Sequence, residues 1–162
     1  MRRFSRIFAW TTLFFVAGAV LFFTKAAALP YKVAWPVLLL SLATFLSRRR
    51  ELLPFGFAFL FSAAGDAVGA RGLFIPQMAF FALAHAAYVC WFLPRARRRL
   101  RAVSLAVTVP LLVFLFAAIV PEAPFPAERI GVAVYGLVIA AMLYSALQYD
   151  GACAAGFRCA AL

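Results

Sequence analysis

The chain has 162 residues, of which 67% are hydrophobic, and a formal net charge of +11. Such an apolar share excludes a soluble globular domain, and the charged residues stand between apolar runs about as long as a bilayer is thick. The expected fold class is all-α, a polytopic membrane helical bundle with about six transmembrane helices.

The first apolar run covers about 7–23 and follows Arg2, Arg3 and Arg6. Its basic start and the downstream Ala26, Ala27 and Ala28 resemble a secretory signal peptide. Its core is longer than the usual ~7–15 residues, and Lys25 interrupts before any small-residue cleavage site, so a retained helix is expected. The second run, about 33–46, is short and has Pro36 in its first turn, where a missing N–H costs little. The third, about 52–70, carries Pro54 in the same early position. Only Arg71 and Gly72 separate it from the fourth, about 73–93, which predicts a tight antiparallel hairpin. Pro94 ends the fourth run. The fifth, about 102–120, holds Pro110 near its middle, where a kink is expected. Residues 121–126 contain three prolines and Glu122 and read as a non-helical outer loop. The sixth run, about 130–147, returns across the membrane. Residues 1–148 thus read as one transmembrane domain, and 149–162 as a short cytoplasmic tail too broken by Gly151, Gly156 and Arg158 to span.

Basic residues alternate between the two sets of loops. Twelve fall on one side, led by Arg95, Arg97, Arg98, Arg99 and Arg101, and four on the other. This is the positive-inside pattern, so the N-terminus is expected in the cytoplasm, with the basic loops against anionic headgroups. No basic face with interleaved aromatics is present, so nucleic acid is not an expected partner. Arginine outnumbers lysine 14 to 2, a composition that points to a bacterial source and hence to the inner (plasma) membrane. Cys90 reads as a small packing residue, and Cys153 and Cys159 lack metal-site spacing.

Asp66 is the only acidic residue inside any long apolar run. A carboxylate at membrane depth costs roughly 2.5–3.5 kcal/mol on insertion scales, so it serves a function or has a dedicated partner. At helical spacing Ser62, Gly65, Asp66 and Gly69 share one face, and Gly65 and Gly69 form a pair that admits a close neighbour. On the fourth run Gln77, Phe81, Ala84, His85 and Tyr88 share a face, and His85 is the only histidine. From the helical rise, Asp66 lies about 7 Å and His85 about 18 Å below the outer boundary, a separation that disfavours a direct bond. Two readings stand: a packing carboxylate bonded to Ser62 or to backbone, or a polar cavity that serves chemistry. No Ser-His-Asp triad or phosphate loop can be assembled, and one His with one Asp falls short of a zinc site. No metal and no cofactor are expected.

Three segments carry a family resemblance. They are Phe61-Ser62-Ala63-Ala64-Gly65-Asp66, the stretch Phe80-Phe81-Ala82-Leu83-Ala84-His85-Ala86-Ala87-Tyr88, and Tyr135-Gly136-Leu137-Val138-Ile139-Ala140-Ala141-Met142. In order and spacing the chain resembles the lysoplasmalogenase family of membrane proteins, known in bacteria as the YhhN family, over about residues 30–148. The resemblance implies hydrolysis of the vinyl ether bond of lysoplasmalogens to a fatty aldehyde and a glycerophospho head group. It implies Asp66 and His85 as catalytic residues, Ser62, Tyr88 and Tyr135 as substrate-binding residues, and a lysophospholipid substrate drawn from membrane lipids. Two departures accompany it. Trp35-Pro36-Val37-Leu38 lacks the lysine that precedes the proline in the family. The tail Gly151–Leu162 lacks the second acidic motif of the family's last two helices, as truncation or a shifted reading frame near Gly151 would leave it. The alternatives to an enzyme are a non-catalytic lipid-binding or assembly protein and a small transporter with Asp66 as its proton site. The lack of a visible repeat weighs against the transporter.

Overall fold

The computed structural model describes residue 10 and residues 12–20 and 32–150. These are almost wholly helical. Residues 12–20 belong to α1, followed by α2 (Trp35–Leu46), α3 (Leu53–Gly69), α4 (Phe74–Phe92), α5 (Arg101–Phe114) and α6 (Pro126–Leu147). Among the described residues four stretches are long and apolar enough to cross a membrane: Arg50–Gly69, Phe74–Arg95, Arg98–Glu122 and Pro126–Leu147. Helix α2, with 12 residues, is shorter. At 1.5 Å per residue it covers about 18 Å, less than a bilayer's hydrocarbon thickness. The ends of the first expected run, and the tail with Cys153 and Cys159, lie outside the described residues.

The chain divides into two compact units, Met1–Ala84 and His85–Leu162, with the division falling inside α4. In the first unit small residues make the contacts. A Cβ on Gly18 would stand 2.6 Å from Cα of Pro36, so α1 approaches α2 at the backbone itself. Helix α2 meets α3 where the buried Ser41 hydroxyl donates to the carbonyl of Gly56 at 2.9 Å, and Gly56 lies against the Phe45 ring. Buried here are Ala34, Ala43, Ala58, Ala63 and Ala84, with Met78 the one large apolar side chain among them, whereas Leu42, Leu46, Phe57 and Leu60 point outward. Small residues inside and large ones outside is the arrangement of helices packed in lipid, where close backbone approach replaces water-driven burial.

The α3–α4 hairpin turns where the sequence places it. Gly72 has φ +74°, its N–H donates to Gly69 O at 2.8 Å, and Leu73 N–H reaches back to Val68 O at 3.4 Å. This is the glycine-dependent helix stop in which a left-handed residue lets the chain cap its own carbonyls. Nothing lies within 4 Å of a Cβ built on Gly72, so the requirement comes from the backbone alone. Gly72→Ala is expected to lower unfolding stability by about 1–2 kcal/mol, the cost of a left-handed L-residue. Denaturation in detergent checks it, with Ala70→Gly as the control that leaves the turn intact.

In the second unit α5 packs along α6. The sequence reading put residues 121–126 in a non-helical loop and began the last helix near residue 130. Instead Val120–Glu122 forms a 3-10 turn, and Pro126 opens α6 as its first residue. Proline fits there because the first helical N–H has no intrahelical partner to lose. Pro110 lies within α5, and helical geometry gives way to a π turn over Leu115–Ile119. Gly136 of α6 accommodates Leu115 of that turn, leaving no room for a Cβ. Cys90, read as a packing residue, is exposed, on the outward side of α4.

Candidate active site

Helix α3 carries Ser62 and Asp66 one turn apart, both half-buried. The shared face expected for Gly65 and Gly69 is where α4 approaches. A Cβ on Gly65 would meet the Phe81 ring at 3.2 Å, and one on Gly69 would collide with the Gln77 amide. Asp66 adjoins this close seam, with its backbone carbonyl accepting from Ala70 N–H at 3.0 Å as an ordinary helical bond. The two ion pairs among the described residues join Arg49 to Glu51 and Arg99 to Asp150, and Asp66 is in neither. Nor does a hydrogen bond between Ser62 and the Asp66 carboxylate appear among those described.

The second unit brings three of the sequence-derived residues together. The His85 ring meets Tyr88, one turn along α4, edge-on at 6.3 Å between centroids. It also meets Tyr135 of α6 at 5.6 Å with an interplanar angle of 75°. Both distances lie in the range at which edge-to-face pairs contribute beyond area burial. The imidazole is thus set between two phenol rings, one from its own helix and one 50 positions away. Gly136, beside Tyr135, is buried and fitted to Leu115, which fixes this part of α6. All three site residues are half-buried rather than sealed. Ser62 and Asp66 belong to the first unit.

Sequence reasoning missed two polar features of the second unit. Ser104 and Thr108 lie one turn apart on the buried face of α5; Ser104 bonds to Leu100 O at 3.0 Å, while Thr108 Oγ1 is buried without a partner among the described residues. Their spacing on one face was the available signal. The other feature is a cluster at the α4–α5 connection, with Arg95 over Trp91 and Tyr149 beside it. Among the described residues, no three His, Cys, Asp or Glu side chains come together.

The sequence model of the YhhN family matches residues 28–162. The chain belongs to the YhhN family. The match takes in helices α2 to α6 and all three motif segments, and it extends past residue 148, where the resemblance read from the sequence stopped. No curated protein and no solved structure matches the chain. Within this YhhN protein, the second and third motif segments meet physically, through the contact between His85 and Tyr135.

Proposed function

We propose that the protein is a membrane ether-lipid hydrolase that cleaves the vinyl ether bond of a lysoplasmalogen. The observation that carries this reading is the His85–Tyr135 contact, which joins two family segments around the chain's only histidine. Asp66, a carboxylate inside the candidate span Arg50–Gly69, supports it from the other unit. We read the basic loops as cytoplasmic and the membrane as the bacterial inner membrane.

The chemistry follows from the substrate. A vinyl ether is electron-rich at the carbon remote from oxygen, so hydrolysis starts with proton transfer to that carbon. Asp66 supplies the proton, and an oxocarbenium ion forms at the carbon bonded to oxygen. Water adds there as His85 takes its proton, giving a hemiacetal. The hemiacetal then breaks its bond to the glycerol oxygen, which takes the proton back from His85, while the hemiacetal hydroxyl returns a proton to Asp66 and the fatty aldehyde departs. One water is consumed, and the acid and base return to their starting states. The logic matches that of glycosidases, in which an acid and a base flank an oxocarbenium centre.

The test compares two lysophospholipids of equal chain length, one with a vinyl ether and one with a saturated ether. The purified protein is expected to release aldehyde from the first only, because the saturated ether has no carbon to protonate. Absence of aldehyde from the vinyl ether in a bilayer would overturn the proposal and favour a binding protein. Tyr135 acts here as a positioning residue. Tyr135→Ala is expected to lower kcat by about two- to tenfold through loss of the ring contact, worth ~0.5–1.5 kcal/mol. Tyr135→Phe, which keeps the ring, is expected to restore it. Equal losses in both variants would move the role to the hydroxyl.

A further inference from the structure

A polar recess of about 400 Å³ in the second unit is lined by Pro94, Arg95, Ala96, Arg97, Tyr149 and Asp150. We propose that this recess is a binding site for a phosphate group, separate from the hydrolytic site.

Its walls are held in place. Arg97 N–H donates to Gln148 O at 2.9 Å, and Ala96 and Tyr149 form an isolated antiparallel bridge, so the α4–α5 connection is fastened to the end of α6. Gln148 is buried, and its amide donates to Tyr144 O at 3.0 Å, which secures the second strand of that bridge. Arg95 is placed twice over: its guanidinium lies 4.5 Å from the Trp91 ring centroid and donates to Trp91 O at 2.7 Å. Tyr149 packs on Trp91 and Phe92 at 5.2 and 5.8 Å between centroids. A guanidinium has five N–H donors in a planar fork, so one bond to a carbonyl leaves most of them for an anion.

The charge in the recess is positive. Asp150 is its one acid, and Arg99, from just outside, is paired with that carboxylate. The charges of Arg95 and Arg97 are left to define the field. Two arginines lining one concavity suit a phosphate, which accepts paired N–H bonds from a guanidinium.

Location supplies the source. The recess lies where the candidate spans Phe74–Arg95, Arg98–Glu122 and Pro126–Leu147 all have an end. Trp91 and Tyr149 stand there as interfacial aromatics do. A lipid head group therefore arrives with its phosphate at the right depth. Ten helical positions separate His85 from Arg95, roughly 15 Å along the axis. A glycerol backbone is only a few bonds long, so a lysolipid whose ether bond is at His85 does not reach this recess with its own phosphate. The site therefore stands whether or not the hydrolytic reading does.

A generic basic loop attracts anionic lipid diffusely, each cationic side chain contributing about equally. A built site depends on the residues that line it. The test measures thermal unfolding of the full chain in neutral detergent, titrated with inorganic phosphate, glycerol 3-phosphate or lysophosphatidic acid at constant ionic strength. A ligand that binds the folded state raises the midpoint saturably. The R95Q/R97Q double variant is expected to weaken the apparent affinity about tenfold or more, given the strength of charge-assisted bonds. The R98Q/R101Q pair, which removes equal charge outside the recess, is expected to stay within about twofold. If losing the Trp91 contact disturbs folding of the double variant, R97Q alone carries the comparison. Saturation by all three ligands assigns the phosphate group itself, and saturation by the lysolipid alone assigns a lipid head group. No saturable shift, or equal losses in the two pairs, would overturn the proposal.

Discussion

Asp66→Asn is expected to abolish most aldehyde release while leaving the protein folded. The amide keeps the shape and much of the hydrogen bonding of the acid but has no proton to transfer to carbon. General acid catalysis contributes typically 10²–10⁴-fold, and turnover is expected to fall by about that factor. Stability in detergent is expected to hold or rise, because Asp66 enters neither of the ion pairs among the described residues. A neutral group within a span is also less costly than a charged one. A structural role predicts the reverse. Were Asp66 half of a buried pair, breaking the pair would cost about 3–5 kcal/mol and leave turnover per folded molecule untouched. Aldehyde assays and thermal unfolding on the same two preparations separate these outcomes.

Enlarging both glycines of the α3–α4 seam carries the largest expected stability effect. Gly65 meets Phe81 and Gly69 meets Gln77, so the double replacement by Leu forces the helices apart along two successive turns. Overpacking costs about 1–3 kcal/mol per site, against a helix-propensity gain of up to about 1 kcal/mol for each lost glycine. The net expectation is a loss of roughly 2–4 kcal/mol for the pair, seen as an earlier unfolding midpoint. Gly65→Ala alone is expected to be near neutral, because its methyl at 3.2 Å needs only a small shift of the Phe81 ring. At Gly69 the Cβ would collide with the Gln77 amide, which ends a flexible side chain, so Gly69→Ala requires that side chain to move away rather than the backbone. An unchanged midpoint in the double Leu variant would mean that α3 and α4 do not depend on this close approach.

Helices α3 and α4 were legible because their signals are local. A proline in the first turn, an apolar run of bilayer length and a glycine stop each act within a few residues, and each is found where the sequence places it. The Gly65–Gly69 seam was legible for the same reason, since i and i+4 positions share a face whatever packs against them. Residues 121–126 were misread because three prolines dominate their composition, whereas position decides what proline does. At the head of α6 Pro126 starts a helix rather than ending one. The π turn at Leu115–Ile119 and the Ala96–Tyr149 bridge have no periodic signature. The bridge pairs residues 53 positions apart, a contact that only the folded chain creates. Tyr149 and Asp150 accordingly read as the start of a tail, although both line the arginine recess.

The candidate site was half legible. The family segments singled out His85, Tyr88 and Tyr135, and ring contacts unite these three. Ser104 and Thr108 escaped notice because two hydroxyls one turn apart are a faint signal in an otherwise apolar helix. The burial of Thr108 without a partner among the described residues emerges only when α5 packs on α6.

The central claim is that hydrolysis begins with protonation of the vinyl carbon, and isotope placement in the product tests it directly. The reaction is run in deuterium oxide with a lysoplasmalogen, and the aldehyde is reduced at once to the alcohol to prevent later exchange. One deuterium on the carbon next to the former carbonyl, dependent on the protein and on Asp66, is the result expected. Aldehyde without deuterium at that carbon, or the same yield from the Asp66→Asn variant, would contradict the account.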